Sequence, residues 1–352
     1  MFKKLLSSLM VALTLFGCSK SENLETEVLP KEEDKYKTGV DLSNFSSMHS
    51  ENFWTEDPYL MLGYGYDATG KYAHPTAIRK KVFDVVKLEE EREGRVSFFR
   101  SSSSGSELHM SGTIEDCIRQ MSRTTGVDVD KVINHKNLFR GVFETPFTND
   151  TTFKDADYRF LGFSDVMTTG RSFFNYPVAS SQNELEQFLS EEFIQDVNSK
   201  SADQIIAHYG THVLQWIVIG RRIDYLYRYA DDMERAAVDW IYYNKSRFFQ
   251  AWTTVWASEP SRRAPLKENL FVQVVDNLDH SPNCWMIDIT NYKGQPVKFS
   301  GWDALDESDV TLVDFGNDNG SLIPIYDFIA DESKKAQVIE AFEKYLGNTS
   351  GK

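Results

Sequence analysis

The apolar positions of this chain repeat with two different periods, and the places where one period gives way to the other mark its elements. Ile114, Cys117, Ile118 and Met121 recur at helical spacing, which predicts an amphipathic helix. From Asn137 to Tyr176 the period drops to two. Asn137, Phe139, Gly141, Phe143, Thr145, Phe147, Asn149, Thr151 and Phe153 carry no charge, while the other parity holds Arg140, Glu144 and Lys154. Beyond Asp155-Ala156-Asp157 the alternation resumes through Tyr158, Phe160, Gly162 and onward to Tyr176, opposite Arg159, Asp165 and Arg171. Two such runs around a polar turn predict a long hairpin. Helical spacing returns with Leu185, Phe188, Leu189, Phe193 and Ile194, with a cap expected near Ser181, and a shorter helix is expected over Ala202 to His208.

Nearer the start, Tyr59 to Tyr66 is short and aromatic and ends in Asp67-Ala68-Thr69-Gly70, which reads as a strand entering a turn. Its Gly63-x-Gly65 does not make a nucleotide loop, because the third glycine comes late and no helix start follows. The serine run from Ser101 to Ser106 reads as a loop.

His208-Tyr209-Gly210-Thr211-His212-Val213-Leu214 leads directly into Trp216-Ile217-Val218-Ile219-Gly220-Arg221-Arg222-Ile223-Asp224-Tyr225, a helix passing into a strand. Glycine suits the bend, and Thr and His can bond the backbone groups freed there. Tyr209, Gly210, Thr211 and His212 in this setting resemble the signature of the membrane attack complex/perforin (MACPF) family. Leu62 to Gly70 is similar to the first sheet strand of its bacterial members, and Leu322 to Ile329 with the helix to Leu346 is similar to their closing segment. The resemblance spans about residues 50 to 346. It implies an α+β fold: a bent and twisted, mainly antiparallel central sheet flanked by two helical clusters. The chain departs from the family where paired glycines often mark the sheet bend, since it has Gly220-Arg221 there. A Cβ and a charge at that point argue against easy opening.

His208 and His212 stand four apart, a spacing that can hold a metal on one helix face. The glutamate of a His-Glu-x-x-His site is missing, and Gly210 interrupts the helix, so no metal or other cofactor is expected. Gly210, Thr211 and His212 read as structural. Nucleophile-elbow, zinc and phosphate-loop patterns are absent from the sequence, and a catalytic role is not expected.

The family's mechanism, as the resemblance implies it, needs segments that are stored as helices and inserted as hairpins, so they must satisfy both periods. Asp231 to Ser258 does. Counted as a helix, Val238, Ile241, Tyr242, Phe248, Phe249, Trp252, Val255 and Trp256 form a stripe broken by Lys245. Counted as a strand, Val238, Trp240, Tyr242, Asn244, Ser246, Phe248, Gln250, Trp252, Thr254 and Trp256 are uncharged. The run exceeds the ~9–11 residues that a membrane-spanning strand needs, and Trp and Tyr suit an interfacial girdle. Trp240, Tyr242, Phe248, Trp252 and Trp256 are therefore the candidate inserting residues. A Trp-rich helix packed on a sheet accounts for the helical stripe equally well without a membrane.

At the amino terminus Lys3 and Lys4 precede an apolar run from Leu5 to Phe16. That run is too short for the roughly 20 residues of a spanning helix, so residues 1–17 read as a signal peptide. Leu15-Phe16-Gly17-Cys18 resembles the lipobox of bacterial lipoproteins, which implies cleavage before Cys18 and fatty acylation of its thiol with palmitate-class chains. Two or more chains, at about 0.8 kcal/mol per buried CH₂, anchor stably. Residues 18–45 are expected to form a polar tether, and 46–352 the MACPF-like domain. A residue other than Asp after the cysteine resembles outer-membrane sorting, and the acidic Glu22 to Glu33 stretch resembles a surface-export tag.

The formal charge is −15, and loss of Lys3 and Lys4 takes it to −17. Such a chain is a poor nucleic-acid binder, because phosphate neutralisation needs clustered Lys and Arg. Cys117 and Cys284 could pair in an oxidising compartment or remain buried thiols. The leading expectation is a pore-forming, antibacterial toxin-like surface lipoprotein. Its partners would be membrane lipid and further copies of itself. The alternative is a non-lytic surface adhesin or glycan-binding protein, whose exposed aromatics would stack on sugars or meet a surface receptor.

Overall fold

A computed structural model describes residues 61–127, 135–143, 158–175, 182–230, 254–256, 269–275, 284–288, 296–298, 310–316 and 320–347. In chain order the elements are β1 (Tyr64–Tyr66), β2 (Ile78–Lys81), α1 (Val85–Glu91), β3 (Val96–Gly112), α2 (Ile114–Thr125), β4 (Tyr158–Phe174), α3 (Gln182–Glu186), α4 (Glu191–Ser199), α5 (Ala202–Tyr209), β5 (His212–Leu214), β6 (Trp216–Ala230), β7 (Thr254–Trp256), β8 (Asn269–Val275), β9 (Cys284–Asp288), β10 (Pro296–Lys298), β11 (Thr311–Phe315), β12 (Leu322–Pro324) and α6 (Glu332–Tyr345). The fold is α+β with antiparallel ladders throughout the paired strands.

A six-stranded sheet runs in the order β3-β4-β6-β8-β9, with β11 also on β6, and a smaller sheet runs β12-β5-β1-β2. The two are continuous in sequence through β5, Gln215 and β6. The apolar core between the sheets and helices is aromatic at its centre. Phe83 stacks on Phe174 with ring centroids 5.2 Å apart, and Tyr66 and Tyr72 both meet Phe315 edge-on. Such pairs add about 0.5–1.5 kcal/mol beyond their burial.

The helix over Ile114 to Met121 forms as α2. Thr113 caps it by accepting the Asp116 amide, the Asp116 carboxylate accepts the Thr113 amide in return, and Gly126 ends it at φ 76°. Cys117 lies on its buried face as a free thiol, and burial pushes that thiol upward in pKa, away from the reactive thiolate.

Three sequence expectations fail, each for a tertiary reason. The serine run is not a loop. Ser103 to Ser106 pair with Thr168 to Asp165 inside the 17-residue β3, because a ladder partner on β4 outweighs serine's weak preference for turns. The hairpin also fails over the described part of its first arm, whose remainder from residue 144 lies outside the described residues. The second arm is β4, but its partner is β3, and residues 137–143 form turns and a short helix. Their amides bond the turn after β1, Phe139 N to Ala68 O at 2.6 Å and Gly141 N to Thr69 O at 3.0 Å. Leu138, Phe139 and Phe143 are buried by that docking and not by strand alternation. Lastly, the helix expected over Leu185 to Ile194 is two helices. Leu189 bridges to Phe83, the Ser190 amide bonds Val82 O, and the Ser190 hydroxyl then caps α4. The cap expected at Ser181 lies outside the described residues. The strand read from Tyr59 is shorter than expected and begins at Tyr64.

Candidate functional site

The signature residues sit where helix, small sheet and large sheet meet. α5 opens with a reciprocal cap between Ser201 and Gln204 and closes at Gly210, whose amide bonds Ile206 O at 2.8 Å. Gly210 has φ 74°, and a Cβ there would stand 2.5 Å from the carbonyl of Tyr66, so the backbone of β1 fits against it only because it has no side chain. Thr211 completes the seam. Its amide donates to Tyr66 O at 3.0 Å, its hydroxyl accepts the Ala68 amide at 3.1 Å, and its carbonyl accepts the Ile325 amide at 2.9 Å. One residue thus ties β1, the turn after it and the segment after β12.

Tyr209 is fully buried and donates its hydroxyl to Asp196 Oδ2 on α4 at 3.0 Å. Burial first, and the Asp196 carboxylate second, raise its pKa. His212 lies edge-on to Phe342 of α6, with Nδ1 2.8 Å from the Thr211 hydroxyl. Loss of water, and then the charge of His135, push its imidazolium down to about 3. His208 instead faces Asp196, with Nδ1 3.5 Å from Oδ2. The two histidines point to different neighbours, and among the described residues no group of three or more His, Cys, Asp or Glu is placed to hold a metal ion. Gly63 and Gly65 lie against the backbones of Phe83 and Tyr209.

The second constellation is the bend of the large sheet. β6 runs through it without a break, but both strands paired with it at that level, β4 and β11, and β3 beyond β4, carry an irregularity. Register shifts fall between Arg100 and Ser103 in β3, between Thr168 and Gly170 in β4, and between Leu312 and Asp314 in β11. The first two align with Ile219–Gly220 of β6 and the third, one residue earlier, with Val218–Ile219; bulges stacked across a sheet bend it and sharpen its twist. Here too β6 changes partner, from β11 along Ile217–Gly220 to β8 along Arg222–Tyr227. A Cβ at Gly220 would lie 2.0 Å from Met167 O. Arg221 is half-buried, with its guanidinium 3.6 Å from the Met167 sulfur. Sequence reasoning singled out Gly220 and Arg221 in this strand and missed Arg222 beside them. That arginine is buried and donates to the main-chain carbonyls of Tyr72, Ala73 and Val313. A buried charge in a strand pattern was the signal available.

Of the candidate inserting residues, Trp240, Tyr242, Phe248 and Trp252 lie outside the described residues, as does Cys18. Trp256 lies in β7, opposite Pro296 of β10. The helical count therefore does not hold at its carboxyl end, where Val255 and Trp256 are extended because β10 supplies a ladder.

No family model and no curated protein matches this sequence. Solved structures do. A Bacteroides thetaiotaomicron protein with a MAC/Perforin domain is similar at a TM-score of 0.63 and 16% identity over 82% of this chain. GNIP1Aa from Chromobacterium piscinae is similar at 0.55 and 17%, also over 82%. The chain spans 60% of the first of these and 56% of the second. With the bent antiparallel sheet, the helix-to-strand seam and these likenesses together, the fold of this chain is that of the MACPF domain.

Proposed function

We propose that this protein is a lipid-anchored, membrane-perforating protein of a bacterial envelope, acting by self-association and insertion of β-hairpins rather than by catalysis. The observation that carries this reading is the length and pairing of β3, β4 and β6. They are antiparallel strands of 17, 17 and 15 residues, longer than the ~9–11 residues that cross a bilayer. The dual-period run Val238 to Trp256 follows β6 directly, on the way to its next partner β8. Ladders already in antiparallel register can lengthen into a membrane hairpin without re-pairing, and burial of a Trp/Tyr/Phe face at about 25 cal/mol per Å² would drive the step. Acylation at Cys18 would hold the protein at the outer membrane.

Release of dye from liposomes of bacterial lipid, with electron microscopy of the same samples, tests the proposal. Leakage with ring- or arc-shaped oligomers is the expected result. No leakage at any lipid composition, and no assemblies, would reject it. Mass spectrometry of the mature amino terminus tests the anchor, with an acylated Cys18 peptide expected and lost in Cys18→Ser.

A second reading rests on its own observation. Trp216, Phe173 and Phe99 stack in sequence across β6, β4 and β3, with centroid steps of 4.4 Å and 6.0 Å, and Phe99 is 56% exposed. An aromatic ladder with an open end suits stacking on a glycan, as a non-lytic adhesin would use it. Glycan binding that is lost in Phe99→Ala, in a protein that never lyses liposomes, would favour it.

A further inference from the structure

One buried side chain beside the bend gathers more backbone than any other residue described there. Arg222 stands two residues past Gly220, at the first position where β6 pairs with β8 instead of β11. It is 3% exposed, and its guanidinium reaches three carbonyls on two separate pieces of backbone. Nη1 donates to Ala73 O at 3.0 Å and to Val313 O, and Nη2 donates to Tyr72 O at 3.0 Å. Val313 is the extra residue of the β11 bulge, between Leu312 and Asp314. Ala73 holds a positive φ of 41°, uncommon for a residue with a Cβ. Both irregular carbonyls are thus aimed at the same cation.

The charge is balanced within the strand. Asp224 Oδ2 accepts from Arg222 Nη2 at 2.9 Å, and Asp224 Oδ1 accepts the Ser164 hydroxyl of β4 at 2.6 Å. Tyr72 adds a parallel tie, donating its hydroxyl to Asp314 Oδ1 at 3.0 Å. Val166, opposite Arg222 in the ladder, packs with Val218 and Val313 in an apolar cluster of its own. A charge in such a place is costly unless fully paired, and charge-assisted bonds there are strong.

From this geometry we infer that Arg222 is a latch across the bend, holding the upper part of β6 against β11 and the 71–74 turn and so keeping the sheet in its bent state. The latch, and not the half-buried Arg221 in the bend itself, sets resistance to straightening. A straightened sheet must release three carbonyls and a guanidinium together, so the latch is all-or-none. The inference stands on the fold and does not require the protein to perforate membranes.

Amide hydrogen exchange followed by mass spectrometry tests it, comparing the wild type with Arg222→Ala and Arg222→Lys. In Arg222→Ala, exchange across residues 71–77 and 311–315 should rise tenfold or more, while α5 and α6 stay within twofold of wild type. In Arg222→Lys, an ammonium cannot span the carbonyls and Asp224 together, so the same segments should rise three- to tenfold. Uniform acceleration everywhere, α5 and α6 included, would make Arg222 an ordinary core residue and overturn the latch. Wild-type rates at 71–77 and 311–315 would overturn it as well. If Arg222→Ala does not fold, Arg222→Lys decides by the same criteria.

Discussion

The seam around Gly210 and the bend around Gly220 each join parts of the molecule through a glycine pressed against another backbone, yet they are held in different ways. At the seam the ties are mainly main-chain hydrogen bonds, joined by the Thr211 hydroxyl, and Tyr209, Thr211 and His212 are buried, with His212 edge-on to Phe342 of α6. At the bend the ladder itself is irregular, and the ties are made by side chains, Arg222 to the carbonyls of Tyr72, Ala73 and Val313 and Tyr72 to Asp314. A main-chain seam in an aromatic core can open only with the core. A side-chain tie can be exchanged for water locally. The molecule therefore has a part built to stay and a part able to move.

The largest expected effect falls at the seam. Gly210→Ala forces a Cβ to within 2.5 Å of the Tyr66 carbonyl at a positive φ, and should cost more than about 3 kcal/mol or prevent folding, read by thermal denaturation. If it proved neutral, the contrast between the two regions would collapse. Gly220→Ala meets Met167 O at 2.0 Å. Because the bulged strands beside it can shift, the expected cost is smaller, about 1–3 kcal/mol, with faster amide exchange confined to β4 near Met167.

Next comes Tyr209→Phe, which removes the hydroxyl from Asp196 and should cost about 1–2 kcal/mol by denaturant unfolding. The pH dependence sharpens the same contrast. His212 titrates at about 3 when folded, below its ordinary value near 6.5 when unfolded. The unfolded state therefore binds the proton more readily. This group's contribution is fully present above about pH 6.5 and is lost as pH falls from there toward 3, at up to about 1.4 kcal/mol per pH unit. Unfolding of His212→Gln against pH should lack that component of slope. Smallest is Phe99→Ala. Its side chain is exposed at the end of the aromatic ladder, so stability should change by no more than about 0.5 kcal/mol in thermal denaturation, and any larger loss would mean that the ladder is structural.

The long strand pattern at Trp216 to Tyr225, the helices at Ile114 and Ala202, and the seam itself were legible because each depends on residues close in sequence. Periodicity shows which face is apolar, and Gly-Thr after a helix shows where it must turn. The pairing of β3 with β4 was not legible. Ser103 to Ser106 carry no signal that Asp165 to Thr168 will claim their backbone, and Asn137 to Phe143 alternate in polarity for reasons of core docking.

By itself the sequence determined the local periods, the helix-to-strand junction at Gly210 and the acidic balance of the chain, since each follows from neighbouring side chains and fixed backbone geometry. Only the tertiary structure decided which strands meet, where three bulges line up beside Gly220, and that Arg222 gathers carbonyls from Tyr72, Ala73 and Val313. The reason is physical: a hydrogen bond between residues some 150 positions apart leaves no local periodicity, and a buried cation is specified by carbonyls that every residue possesses.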